Sequence, residues 1–132
     1  MEAIINGKSL PISPKHSYEV CNFIRNKELE LAKKMLTRVM EKKIAVPYKR
    51  YNTDTAHKPG MAAGQYPIKT CKAILDLLSG VQANAQNKGM SSKLIIEHIS
   101  SHKAPRQWHA SSKRRRKMKT CHIKIVVKEL KK

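Results

Sequence analysis

The chain is short of aromatic rings, of glycine, of cysteine and above all of carboxylates. Phe, Trp and Tyr together make up 5% of its 132 residues, and only nine are acidic. Carboxylates this few and scattered supply no pair for general acid–base work. Cys21, Cys71 and Cys121 are odd in number and far apart, which excludes a disulfide framework and gives no zinc spacing. They imply a reducing compartment, cytosol or nucleus. Cys71 reads as core packing, because nothing supplies it with a base. His98 and His102 stand four apart on an expected strand, where such spacing does not converge on a metal, and adjacent Cys121 and His122 point to opposite faces. No run approaches the roughly 20 apolar residues of a membrane span. The Met1–Asn6 start lacks the positively charged opening and long apolar stretch of a secretory signal. Neither an enzyme nor a metalloprotein is expected, and no metal or cofactor.

Positive charge is abundant. Twenty-eight Lys and Arg give a net charge of +19, far more than solubility needs. Such self-repulsion works against a free compact protein and favours one held by phosphate. A membrane-surface protein would show bulky apolar residues opposite lysines on an amphipathic helix, whereas the helices here face a core. The length suits one domain with a modest core, 1–132.

Ser9–Ile12 alternates like a short strand, with Asn6-Gly7 as a turn before it and Pro11 demoting it to an edge. Ser13-Pro14 starts a helix that carries Val20, Phe23 and Ile24 on one face and stops near Asn26. A second helix spans about Lys27 to Lys43, with Leu29, Ala32, Leu36, Val39 and Met40 as its stripe, widened by Leu31 and Met35. The stretch from Val46 to Tyr66 has no periodicity, and a loop of that length is functional or disordered. It interleaves Tyr48, Tyr51 and Tyr66 with Lys49, Arg50, His57 and Lys58, cations for phosphate and rings for bases or sugars. Pro67 opens a third helix and Gly89 closes it. Ile68, Cys71, Ile74, Leu75, Leu78, Val81 and Ala85 form its stripe, with Lys69 and Lys72 off it. Gly80 inside that helix marks a close packing contact.

The last third organises the rest. Leu94–Ile99 and Cys121–Val127 read as strands, the second with Cys121, Ile123, Ile125 and Val127 on one face. From His98 through Lys128 there are ten Lys and Arg and no carboxylate. Two strands flanking a cationic connection read as an extended hairpin whose tip stands outside the core. Helices first and a sheet last make the class α+β. Trp108, the only tryptophan, lies in the connection, where stacking on a base is worth about 1–3 kcal/mol. The run Lys113–Lys119 also fits a nuclear-import patch. A DNA-binding or chromatin-type protein is the alternative. It would cluster its cations on a recognition helix, whereas the strongest cluster here is the hairpin connection.

Several stretches carry a family resemblance: Val46–Asn52, Ala63–Lys69, Gln82–Gly89, Leu94–Ile99, Lys103–Pro105 and Cys121–Ile123. In that order, from about Ser13 to Val127, the chain resembles the universal large-subunit ribosomal protein twenty-two family in its archaeal and eukaryotic branch. The last three motifs lean to the eukaryotic side. The connection after Pro105 is several residues shorter than the family's, and no glycine follows Gly89, which suggests a compacted member. The resemblance implies three helices packed on a small antiparallel sheet, with a long basic hairpin projecting from the globular part. The globular part would comprise about 1–93 plus the closing strand 121–130, the hairpin about 94–130, and its tip about 104–119. It further implies no catalysis, ribosomal RNA as ligand, and a tip that lines the nascent-peptide tunnel. Neighbouring large-subunit proteins and the nascent polypeptide would be partners, with no membrane and no homo-oligomer. The location would be the cytoplasmic ribosome after passage through the nucleus or nucleolus.

The residues expected to contact RNA are Lys15 and His16 at the first helix, Tyr48, Lys49, Arg50, Tyr51, His57 and Lys58 in the long loop, and Lys69 and Lys72 on the third helix. In the hairpin they are Lys103, Arg106, Trp108, His109, Lys113, Arg114, Arg115, Arg116, Lys117 and Lys119. Arg106, Gln107, Trp108, His109, Lys113 and Arg114 would line the tunnel.

Overall fold

A computed structural model describes residues 1–130. It is α+β: β1 (Glu2–Leu10), α1 (Pro14–Ile24), α2 (Leu29–Met40), β2 (Val46–Pro47), β3 (Gly64–Gln65), α3 (Ile68–Asn87), β4 (Leu94–Lys103) and β5 (Cys121–Glu129). The three long strands form one antiparallel sheet in the order β1-β5-β4, and β2 pairs with β3 in a small separate ribbon. The helices bury their apolar stripes against one face of the three-stranded sheet. One contiguous core results, built on Ile24, Leu36, Ile74, Leu78, Ile96, Ile99, Ile123 and Ile125.

The first strand departs from the sequence reading. It begins at Glu2, and Asn6-Gly7 lies inside it, paired with Lys124 and Ile123, instead of forming a turn. Packing explains the glycine: a Cβ at Gly7 would come within 2.9 Å of both Leu10 and Leu77. Gly80 of α3 makes the reciprocal approach, since a Cβ there would come within 2.8 Å of the Ile5 side chain, as its mid-helix position predicted. Helix and strand therefore interlock at two glycines.

Each helix boundary has a local cause. Pro14 opens α1, and Ser13 caps through its carbonyl, which accepts from the Ser17 amide at 2.9 Å and the Ser17 hydroxyl at 2.8 Å. α2 starts two residues later than the periodicity predicts, because Asn26 and Lys27 bond the backbone of Ile96. It also ends earlier, at Met40. Lys42 adopts φ 58°, and the amides of Lys42 and Lys43 close back on Val39 and Arg38, a Schellman stop built without glycine. Gly89 makes the same stop for α3, at φ 69°. Pro67 stands just before α3 as its cap residue. Leu31 and Ile68, expected on buried stripes, are exposed.

Both sheet edges are partly occupied. The α1–α2 linker covers the start of β4 through the Asn26 and Ile96 amides, and Arg25 donates to the Ile99 carbonyl at 3.1 Å. On the β1 side, Asn84 of α3 and Lys88 just beyond its end donate to the carbonyls of Ile4 and Glu2. Inside the sheet, Leu94, Ile96 and then Ile99 point inward. A bulge between Ile96 and His98 shifts the phase, which is why Leu94–Ile99 does not alternate cleanly.

Candidate nucleic-acid interface

The β4–β5 ladder runs to the pair Lys103–Cys121. Beyond it, Ala104–Thr120 continues as a looser antiparallel pair, held by the amides of Ala104, Met118 and His109 on the carbonyls of Thr120, Gln107 and Arg116. The far end turns through a short 3-10 segment, Ser111–Lys113, with Ser111 at φ 57° and Arg115 at φ 66°. Two left-handed non-glycine residues thus do what an absent glycine would do. Trp108 is 61% exposed, with the Lys117 ammonium 4.4 Å from its ring centre. The base of the connection lies alongside the start of α1. Lys103, Arg106 and Lys119 share a hollow with Ser13, Pro14 and Lys15. His109, Lys117 and Lys119 share another with Pro11, Ile12, Ser13 and Lys69.

A third hollow adjoins these on the other side of Ser13, lined by Lys15, His16, Tyr48, Arg50, Tyr51, Lys119 and the polar residues Thr53, Asp54, Thr55 and Gln65. Its floor is Tyr48, which is 4% exposed and bonded through its hydroxyl to His16 Nδ1. Tyr48 was expected to offer its ring to RNA; its ring belongs to the core instead. Burial raises the Tyr48 phenol far above its ordinary range. Burial, and then the nearby Lys119 ammonium, hold the His16 imidazolium below its ordinary value.

Glu19 organises this region. It is 1% exposed, and its carboxylate accepts the backbone amides of Lys49 at 3.2 Å, Arg50 at 2.8 Å and Tyr51 at 2.9 Å. Three amides converging on one anion pin the loop and fix where its side chains stand. The Arg50 guanidinium lies 5.0 Å from the Tyr18 ring and 5.4 Å from Tyr51, while the two rings meet edge to face at 5.6 Å. Lys15 sits 5.7 Å over Tyr51. Neither Glu19 nor Tyr18 was singled out from the sequence. The available signal was an acidic residue amid the buried positions of α1, beside Ser17, Val20 and Cys21.

The structure therefore brings Lys15, His16, Arg50, Tyr51, Lys69, Lys103, Arg106, His109, Lys117 and Lys119 onto one continuous surface around the start of α1. Lys58 lies apart over Tyr66 at 5.6 Å, and His57 bonds the Ala62 carbonyl. Lys49 is exposed, with its amide held by Glu19, and Lys72 is exposed on α3. Lys113, Arg114, Arg115 and Arg116 are exposed at the far turn. Burial pushes the Cys21 and Cys71 thiols up to about 12, so neither is a nucleophile near neutral pH. Among the described residues no cluster of three or more His, Cys, Asp or Glu could hold a metal, and no helix is long and apolar enough to cross a membrane.

These features define a small, strongly basic α+β protein whose exposed chemistry is cationic and aromatic. Residues 5–128 match the family described as "Ribosomal protein L22p/L17e", and the chain belongs to that family. It is 42% identical to the large ribosomal subunit protein uL22 of Nanoarchaeum equitans, over 96% of this chain and 78% of that protein. It is 38% identical to the uL22 of Staphylothermus marinus, over 92% and 85%, and 39% identical to that of Methanoculleus marisnigri, over 94% and 87%. Membership makes the chain a structural component of a ribonucleoprotein particle engaged in translation, not an enzyme.

Proposed function

We propose that this chain is a constituent of the large ribosomal subunit that binds and organises ribosomal RNA, with its hairpin tip lining the nascent-peptide tunnel. The name shared by its relatives supports the subunit assignment. One observation carries the RNA reading. Cations from four separate segments, Lys15, Arg50, Lys69 and the pair Lys103 and Lys119, converge on a single face. Phosphate held there would release counterions, and folded RNA could set the register by shape. Lys113, Arg114, Arg115, Arg116 and exposed Trp108 extend this face along the connection. The tip residues Arg106, Gln107, Trp108, His109, Lys113 and Arg114 would meet the nascent chain, beside neighbouring large-subunit proteins. The place of work would be the cytoplasmic ribosome, reached after assembly in the nucleus.

The test is to replace Arg114, Arg115 and Arg116 together by alanine. Binding of a large-subunit RNA fragment should then show a log–log salt slope shallower by about 2–3, since each phosphate contact contributes about 0.7–0.9. Incorporation into purified subunits should also fall. Wild-type slope and wild-type occupancy would overturn the reading. A duplex DNA competitor as effective as folded ribosomal RNA would favour the DNA-binding alternative.

A further inference from the structure

The hollow beside α1 contains a residue that phosphate binding does not explain. Asp54 lines it together with Lys15, Arg50 and Lys119, yet forms no ion pair within 4.0 Å among the described residues. A carboxylate in a phosphate-binding hollow weakens the attraction for RNA, and this chain has only nine acidic residues to place. Its chemistry is to accept hydrogen bonds, two donors side by side being the best match. Two residues of the lining can stack on a base, the Arg50 guanidinium and the Tyr51 ring, and buried Glu19 holds the backbone amides of both. The hollow measures about 270 Å³, near the lower bound of about 300 Å³ for small-ligand pockets.

We propose that this hollow receives one unpaired guanine nucleotide extruded from RNA. The proposal rests on the RNA-binding reading above and deepens it. The base lies against Arg50 and Tyr51, as single-stranded bases do on cationic and aromatic platforms. Its sugar-phosphate passes between Lys15 and Lys119. Its Watson–Crick edge meets Asp54, where the adjacent N1–H and N2–H groups of guanine satisfy both carboxylate oxygens. Adenine and cytosine offer only an exocyclic amine and uracil only N3–H, so each leaves one carboxylate oxygen without its donor.

The test measures binding of the full-length protein, at low salt, to the labelled hexanucleotides UUUGUU, UUUAUU, UUUCUU and UUUUUU. The expected result is about tenfold tighter binding of UUUGUU, the equivalent of about 1.4 kcal/mol. Asp54→Asn should abolish that preference while leaving UUUUUU bound at least as tightly. Asp54 is exposed and its side chain makes no hydrogen bond among the described residues, so the variant should fold. Arg50→Met should weaken all four ligands together. Equal affinity for the four, or a guanine preference that survives Asp54→Asn, overturns the guanine site and leaves the RNA-binding reading standing. Failure to bind any of the four, or folded ribosomal RNA, overturns both.

Discussion

His16 is an imidazole hemmed in by positive charge and bonded to a buried phenol. Lys15 on its own helix, Arg50 and Tyr51 from the loop, and Lys119 from the hairpin face it, with Asp54 as the single exposed counterweight. Its proton affinity in the folded protein lies below the ordinary 6.5, so the unfolded chain takes up the proton first. The sign follows: stability is unaffected well above pH 6.5 and falls as pH drops through and below it. An NMR titration of His16 should give a midpoint under 6.5, and His16→Gln should remove part of the acid-side loss of stability in urea unfolding. A midpoint at or above 6.5 would contradict this account of the hollow. Much of this residue-level chemistry was hidden in the sequence. The run Tyr48–Tyr51 announces cations and rings, but only folding divides them: Tyr48 goes into the core, while Arg50 and Tyr51 stay on the surface. Glu19 shows in the sequence only as an acid amid the apolar residues of α1, without its role. Its partners are backbone amides thirty or so residues away, which no side-chain pattern reports.

At the scale of elements, the two glycines that lock β1 onto α3 should respond differently to alanine. Gly7→Ala drives a methyl against two leucines at 2.9 Å, and overpacking of this kind costs about 1–3 kcal/mol. Gly80→Ala meets only the flexible tip of Ile5 and gains about 1 kcal/mol of helix propensity, so it should be close to neutral. Urea midpoints of the two variants check the contrast. Helices and hairpin strands were legible because their apolar residues recur at 3.6 or 2 positions. β1 was not, since Asn6-Gly7 is a turn signal in isolation and becomes strand only when Leu77 fills the space over the glycine. Helix ends erred by two or three residues wherever a distant strand or a left-handed lysine intervened.

The whole molecule is electrically polarised. Glu2, Glu28, Glu30, Glu97 and Glu129 gather where β4 begins and β5 ends, and Lys128 pairs there with Glu2 and Glu97. The cationic surface occupies the other end of the same ladder. Repulsion at that end should make added salt stabilise the free protein even as it releases RNA. The melting temperature should therefore rise between about 0.05 and 0.3 M NaCl, by an amount that shrinks in the Arg114, Arg115 and Arg116 triple-alanine variant. A melting temperature indifferent to salt would mean the cations are too dispersed to strain the fold.

The partly occupied edges of the three-stranded sheet bear on the interval before assembly. With Asn26, Lys27 and Arg25 along one margin and Asn84 and Lys88 along the other, an orphaned copy has little open ladder with which to template a neighbour into fibrils. Copies outside a particle should accordingly resist templated fibril growth along the covered parts of both edges.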